Sequence, residues 1–130
     1  MARHLTFDDI LEVNKDVMGR GGHFQAPLRD ERGLTALLLR VRNEDERATS
    51  DDARLAAILA VGLAQGRPFE RGHIETAVGA LSAFLGFNGM RLQVGSLPEL
   101  GPYLRVISEE HESDEAIERF AERLRARLRT

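Results

Sequence analysis

The sequence has no cysteine and no tryptophan, one tyrosine, and a single lysine, Lys15. Without thiols there is no disulfide and no thiolate metal site, a composition that suits a reducing compartment. Aromatic residues amount to 5% of the chain, too few for a stacking platform on single-stranded nucleic acid. The net charge is −3, so no bulk basic field draws the protein to nucleic acid or to a membrane surface, and neither is expected as a partner. The longest apolar stretch, Leu55–Ala64, falls far short of the roughly 20 residues that span a bilayer. Met1–Phe7 contains no apolar run of the signal-peptide kind. These absences together suggest a cytoplasmic protein.

What is present is ordinary for a globular chain. With 130 residues, 42% of them hydrophobic and 30% charged, the expectation is one domain over residues 1–130 with a single core. Thr6 with Asp9 makes a capping box for a first helix whose apolar face is Phe7, Ile10, Leu11, Val17 and Met18, with Gly19 as its stop. Gly19–Leu28 holds three glycines and a proline and reads as a loop, with His23 and Phe24 in its middle and Phe24 expected to tuck into the core. Asp30 caps a second helix with Leu34, Leu37, Leu38 and Val41 inward, and Ser50 caps a third with Leu55, Ile58, Leu59 and Leu63 inward.

Gly66–Gly72 is a charged loop broken by glycine and proline that runs into a helix over His73–Phe87. Ile74, Ala77, Val78, Leu81, Phe84 and Leu85 leave that helix little polar surface, so it is expected at the centre of the fold. Its glycines, Gly79 and Gly86, are expected where a neighbour approaches closely. Met90–Val94 alternates but has no evident partner strand, so it is expected as a connector. Ser96 with Glu99 opens a fifth helix, and Ser113 a sixth with Ile117, Phe120, Ala121, Leu124 and Leu128 inward. The sum is an all-α, compact bundle of about six helices around a central apolar helix.

The order of these pieces resembles the Fic/Doc family, in its short death-on-curing (Doc-like) branch. The resemblance is carried by T-F-D-D-I-L-E-V-N (Thr6–Asn14), G-R-G-G-H-F (Gly19–Phe24), P-L-R-D-E-R-G-L-T-A-L-L-L-R-V (Pro27–Val41), T-A-V-G-A-L-S-A-F-L-G-F-N-G-M-R-L (Thr76–Leu92) and S-L-P-E-L (Ser96–Leu100). It implies a Fic/Doc-like helical fold. It implies a flap at Gly21, Gly22, His23 and Phe24 that meets a partner. It also implies an active-site window before the Thr76 helix that transfers phosphate or AMP from a nucleotide to a protein hydroxyl. In that window the family carries His-x-Phe-x-Asp/Glu-x-Asn-Lys-Arg, with the histidine as base and the acid on Mg²⁺.

Here the window reads Arg67-Pro68-Phe69-Glu70-Arg71-Gly72-His73-Ile74-Glu75. Arg67 stands in the place of the base, and a guanidinium does not give up its proton. Arg71 stands in the place of the Mg²⁺ ligand and repels a cation. His73 replaces the asparagine, and Ile74 with Glu75 replaces the basic pair. No cofactor and no metal site are therefore expected; an ATP-like nucleotide without Mg²⁺ is the one small molecule in view. Three readings follow. The first is a pseudoenzyme of toxin–antitoxin type that holds a protein partner, whether an antitoxin-like segment or a second copy through Phe24, Phe87 or Tyr103, with Arg71 and Glu75 paired four residues apart. The second is a metal-free anion or nucleotide cradle of Arg67, Phe69, Arg71, Gly72 and His73 at the helix start. The third is chemistry on His73, oriented by Glu70 or Glu75 and met by His23, with His73 and Glu75 as the candidate catalytic pair; this includes an active transferase using non-standard residues.

Overall fold

The computed structural model describes residues 2–47 and 50–129. Six helices follow one another: α1 (Phe7–Arg20), α2 (Glu31–Glu46), α3 (Asp52–Gly66), α4 (His73–Phe87), α5 (Ser96–Ser108) and α6 (Asp114–Arg125). Two short strands, β1 (Arg91–Leu92) and β2 (Leu128–Arg129), pair antiparallel. The architecture is an all-α bundle.

The helix starts are set by their caps. Thr6 and Asp9 form the reciprocal capping box of α1. Asp30 accepts from the Gly33 N–H, and Ser113 from the Ala116 N–H. At α3 the cap is Asp51, which accepts from the Arg54 N–H, and not Ser50, whose hydroxyl donates to Glu44 Oε2 at 2.6 Å. Ser96 likewise lies inside α5, whose cap is Gly95 with φ 86°. The first helix runs past Gly19 to Arg20, and the left-handed turn is supplied by Gly22 at φ 80°.

The centre of the bundle is α3 rather than α4. Leu55–Val61, Leu63 and Ala64 are all buried, and α3 packs against α2, α4, α5 and α6. Its five alanines let neighbours close in from every side. On the α2 side, Leu37 lies against the bare Cα of Gly62. The fourth helix is apolar as expected, but it sits beside α3 and packs on α1 and α5 with its remaining surface. Within α4 only Gly79 marks a close approach: a Cβ there would fall 2.8 Å from Val13 Cγ1 and 3.2 Å from Val17 Cγ1, whereas Gly86 faces open space.

Two expectations fail at the chain's C-terminal side. Met90–Val94 is not a bare connector, because Leu92 pairs with Leu128 and Arg91 with Arg129. Accordingly α6 stops at Arg125, and Leu128 reaches the core from a strand. The N-terminal arm is tied to the ends of α2 and α4. The Ala2 N–H and His4 Nε2 both reach Asp45 Oδ2, at 3.0 and 2.8 Å, and Arg3 exchanges two backbone hydrogen bonds with the Asn88 side chain.

Packing at Gly79 gives a direct test. Alanine there gains about 1 kcal/mol of helix propensity but must displace two β-branched side chains, an overpacking cost of about 1–3 kcal/mol. Gly79→Ala is expected to lower the urea midpoint, and Val13→Ala in the same chain to restore part of it. A Gly79→Ala protein as stable as the parent would show that α1 does not press on α4.

Candidate functional site

The window and the flap are held together by one buried side chain, Asn14 of α1, which is 0% exposed. Its Oδ1 accepts from the Ala26 N–H at 2.8 Å. Its Nδ2 donates to Thr76 Oγ1 at 3.0 Å and to the Arg71 carbonyl at 3.4 Å. The amide thus ties Ala26 at the end of the flap, the window and the first turn of α4 to α1. Nothing in the sequence motifs assigned it this role. The available signal was a polar residue at a core position, four residues from both Ile10 and Met18.

Flap and window also pair directly. Leu28 and Phe69 form an antiparallel bridge, the Arg29 N–H donates to the Pro68 carbonyl at 2.7 Å, and the Glu70 N–H to the Pro27 carbonyl at 3.0 Å. Phe69 is 1% exposed and belongs to the core, so its ring anchors the loop and presents no face to a ligand. Gly72 caps α4 at φ 77°, and a Cβ on it would stand 2.7 Å from Met18 Sδ. The positive φ favours glycine, and a side chain there would also have to displace the Met18 thioether.

Arg67 takes the left-handed conformation, φ 48° and ψ 59°, and is the one non-glycine residue with positive φ among those described. It ends α3 with its N–H on the Leu63 carbonyl. The conformation costs about 1–2 kcal/mol for a residue with a Cβ, and two contacts hold it: Arg29 Nη2 donates to its carbonyl at 2.7 Å, and its own Nη2 reaches Glu109 Oε1 at 2.8 Å. Glu75 reaches Arg105 Nη2 at 3.6 Å. The expected Arg71–Glu75 pair is therefore absent, because α5 offers Glu75 a cation of its own. Arg71 is exposed and has no ion-pair partner among the described residues. Arg67 and Arg71 share no ion-pair partner among the described residues. A cleft of about 250 Å³ lies behind Pro68, walled by α2, α3 and the start of α6, on Leu34, Leu37, Gly62 and Ile117.

His73 sits half-buried between the two ion pairs. Burial holds its pKa below the ordinary 6.5, Arg67 and Arg105 push it further down, and Glu75 and Glu109 oppose them. At neutral pH its ring is uncharged. It makes no side-chain hydrogen bond among the described residues, and Glu75 is turned to Arg105, so the candidate catalytic pair His73 and Glu75 is not assembled as a base and its orienter. Gly21, Gly22, His23 and Phe24 all lie on the surface, and Phe24 is 91% exposed, not tucked in. The loop around it is pinned by the His23 N–H on the Met18 carbonyl and by the Ala26 N–H on Asn14. Of the other two aromatic candidates, Phe87 is exposed beneath Arg3, while Tyr103 stacks on Phe120 and is covered by Arg123. No cluster of three or more histidine or acidic side chains disposed to hold a metal occurs among the described residues. Compared with known proteins, the chain matches no family model and no curated protein.

Two outcomes follow. Asn14→Ala orphans the Ala26 N–H, the Arg71 carbonyl and the Thr76 hydroxyl together, and is expected to cost about 3 kcal/mol in chemical denaturation; a loss under ~1 kcal/mol would show that these groups find other partners. For His73, the folded pKa lies below the unfolded one. The unfolded chain therefore binds the extra proton, and this contribution to stability is lost as pH falls from about 6.5 toward the depressed folded value. The midpoint difference between wild type and His73→Gln is expected to change across that window and to be flat above it.

Proposed function

We propose that the protein is a Fic/Doc-like pseudoenzyme, a fold kept as a binding module for a protein partner with no phosphate or AMP transfer of its own. The observation that supports this reading is the use made of Arg67. At the position where the resemblance implies a general base, the guanidinium is bound to Glu109 and the backbone is committed to ending α3. The neighbouring Phe69 is sealed under Leu28. Binding falls to the flap, where Phe24 presents an almost fully exposed ring beside His23 and Gln25. An antitoxin-like segment of a toxin–antitoxin pair is the partner the resemblance suggests.

One observation favours a second reading, a metal-free anion or nucleotide cradle. The start of α4 has no side-chain cap, and Arg71 beside it is unpaired among the described residues. Helix-start amides with a nearby guanidinium favour an anion. Glu75 in the same first turn opposes it, though Arg105 takes up part of its charge.

Thermal unfolding with ATP and GTP, each with and without Mg²⁺, separates these readings. A ligand at a hundred times its dissociation constant adds about 2.7 kcal/mol, several degrees for a domain of this size. The pseudoenzyme reading expects no shift. A shift without Mg²⁺ that Arg71→Ala abolishes would establish the cradle. A shift that requires Mg²⁺ would overturn both and restore a transferase built on other residues.

A further inference from the structure

The β1–β2 ribbon sets two arginines against each other. In the antiparallel register Arg91 faces Arg129 and Leu92 faces Leu128, and the Gln93 N–H continues the ladder onto the Arg127 carbonyl at 2.8 Å. Alternation then divides the ribbon. Leu92 and Leu128 turn to the core, and Arg91 and Arg129 stand together on the outer side, both exposed. Directly opposed residues in such a pair have Cβ atoms about 5 Å apart, and like charges there are destabilising.

Nine other arginines also lack a carboxylate within 4 Å among the described residues, but none of them is registered against a second arginine across a strand pair, and the remaining six are clamped. Arg54, Arg67, Arg105, Arg119, Arg125 and Arg127 each reach a carboxylate. Arg127, the next outward residue on the same ribbon, is held by Glu99 at 2.9 Å. Acids are not scarce, since 21 of them accompany 18 basic residues. Yet neither Arg91 nor Arg129 has an acidic partner among the described residues. Two guanidinium forks set opposite each other on one ribbon, with no acidic partner among the described residues, match an oxyanion that accepts from both at once.

We propose that Arg91 and Arg129 form an oxyanion-binding pair that takes a phosphate-class anion, free or as a monoester, on the outer face of the ribbon. The pair lies outside the window and the flap, so it stands or falls independently of the function proposed above.

The probe is inorganic phosphate, compared with chloride at matched ionic strength and pH, read by thermal unfolding and by calorimetric titration. Phosphate is expected to raise the unfolding midpoint above that in chloride. Arg91→Gln and Arg129→Gln are each expected to weaken phosphate binding about tenfold or more, the equivalent of one charge-assisted hydrogen bond. The sign of each substitution is expected to depend on the anion. In low-salt chloride the glutamine variants relieve repulsion and melt at or above the parent; in phosphate they melt below it. Both substitutions lie on the exposed face, so the chloride arm also reports that the variants fold. If phosphate binds, O-phosphoserine in place of phosphate tells whether a monoester is accepted. Equal midpoints for the parent in phosphate and chloride would overturn the proposal. So would a phosphate effect that survives both glutamine variants and disappears in Arg71→Ala, which would move the anion to the start of α4.

Discussion

The buried amide of Asn14 is the constraint on which the rest of the site depends. It lies where α1 would otherwise present an aliphatic residue, and it spends one acceptor and two donors on three different segments. Each of those partners is a polar group that would carry a desolvation penalty if left alone in the interior. The flap cannot return to Leu28 and the window cannot enter α4 except by passing this point. The left-handed Gly72 follows from it, because the chain must turn tightly past Met18 and Asn14 to begin α4. Contacts within the chain thus define the loop's path.

Around that fixed loop, charge is handled pair by pair. Arg67 goes to Glu109 and Glu75 to Arg105, so two bridges tie the window and α4 to the C-terminal end of α5. Exposed pairs of this kind contribute little each to stability. Their larger consequence is positional. They engage Arg67, whose charge acts on His73, and Glu75, one of the two carboxylates expected to orient its ring. His73 is left uncharged between them, and Arg71 is the remaining window cation without an acid.

Much of this was legible in the residues. Helix number, the extent of α4, and the caps Thr6, Asp30 and Ser113 follow from local patterns, because a cap acts within one turn of its own position. What was not legible depended on distant partners. Choosing α3 over α4 as the central helix required knowing which apolar helix had neighbours on all sides, and a run of alanines signals that less loudly than leucine and phenylalanine do. The ribbon needed a second strand 36 residues further on, and two residues at Leu128–Arg129 make no detectable β pattern. Arg71 and Glu75 have a helical spacing that permits pairing, but Arg105 of α5 outcompeted it. Phe24 was misjudged for a related reason: burial of a loop side chain depends on where the loop is tethered, and the tether here is Asn14 through Ala26.

The same locality explains how a chain of net charge −3 can still present anion-attracting points. At physiological ionic strength the Debye length is about 8 Å, so an exposed guanidinium is governed by its immediate neighbours and not by the sum over the molecule. Where an acid sits within reach, as at Arg54 or Arg125, the arginine is a structural clamp across helices. Where the fold places no acid within reach, the charge is available to something outside the chain. The sequence count of 18 basic and 21 acidic residues carries no information about which case applies. The packing of α5 and the register of a two-residue ribbon do, and that is why the distribution of partners, rather than total charge, separates the window's closed arginine from those left open.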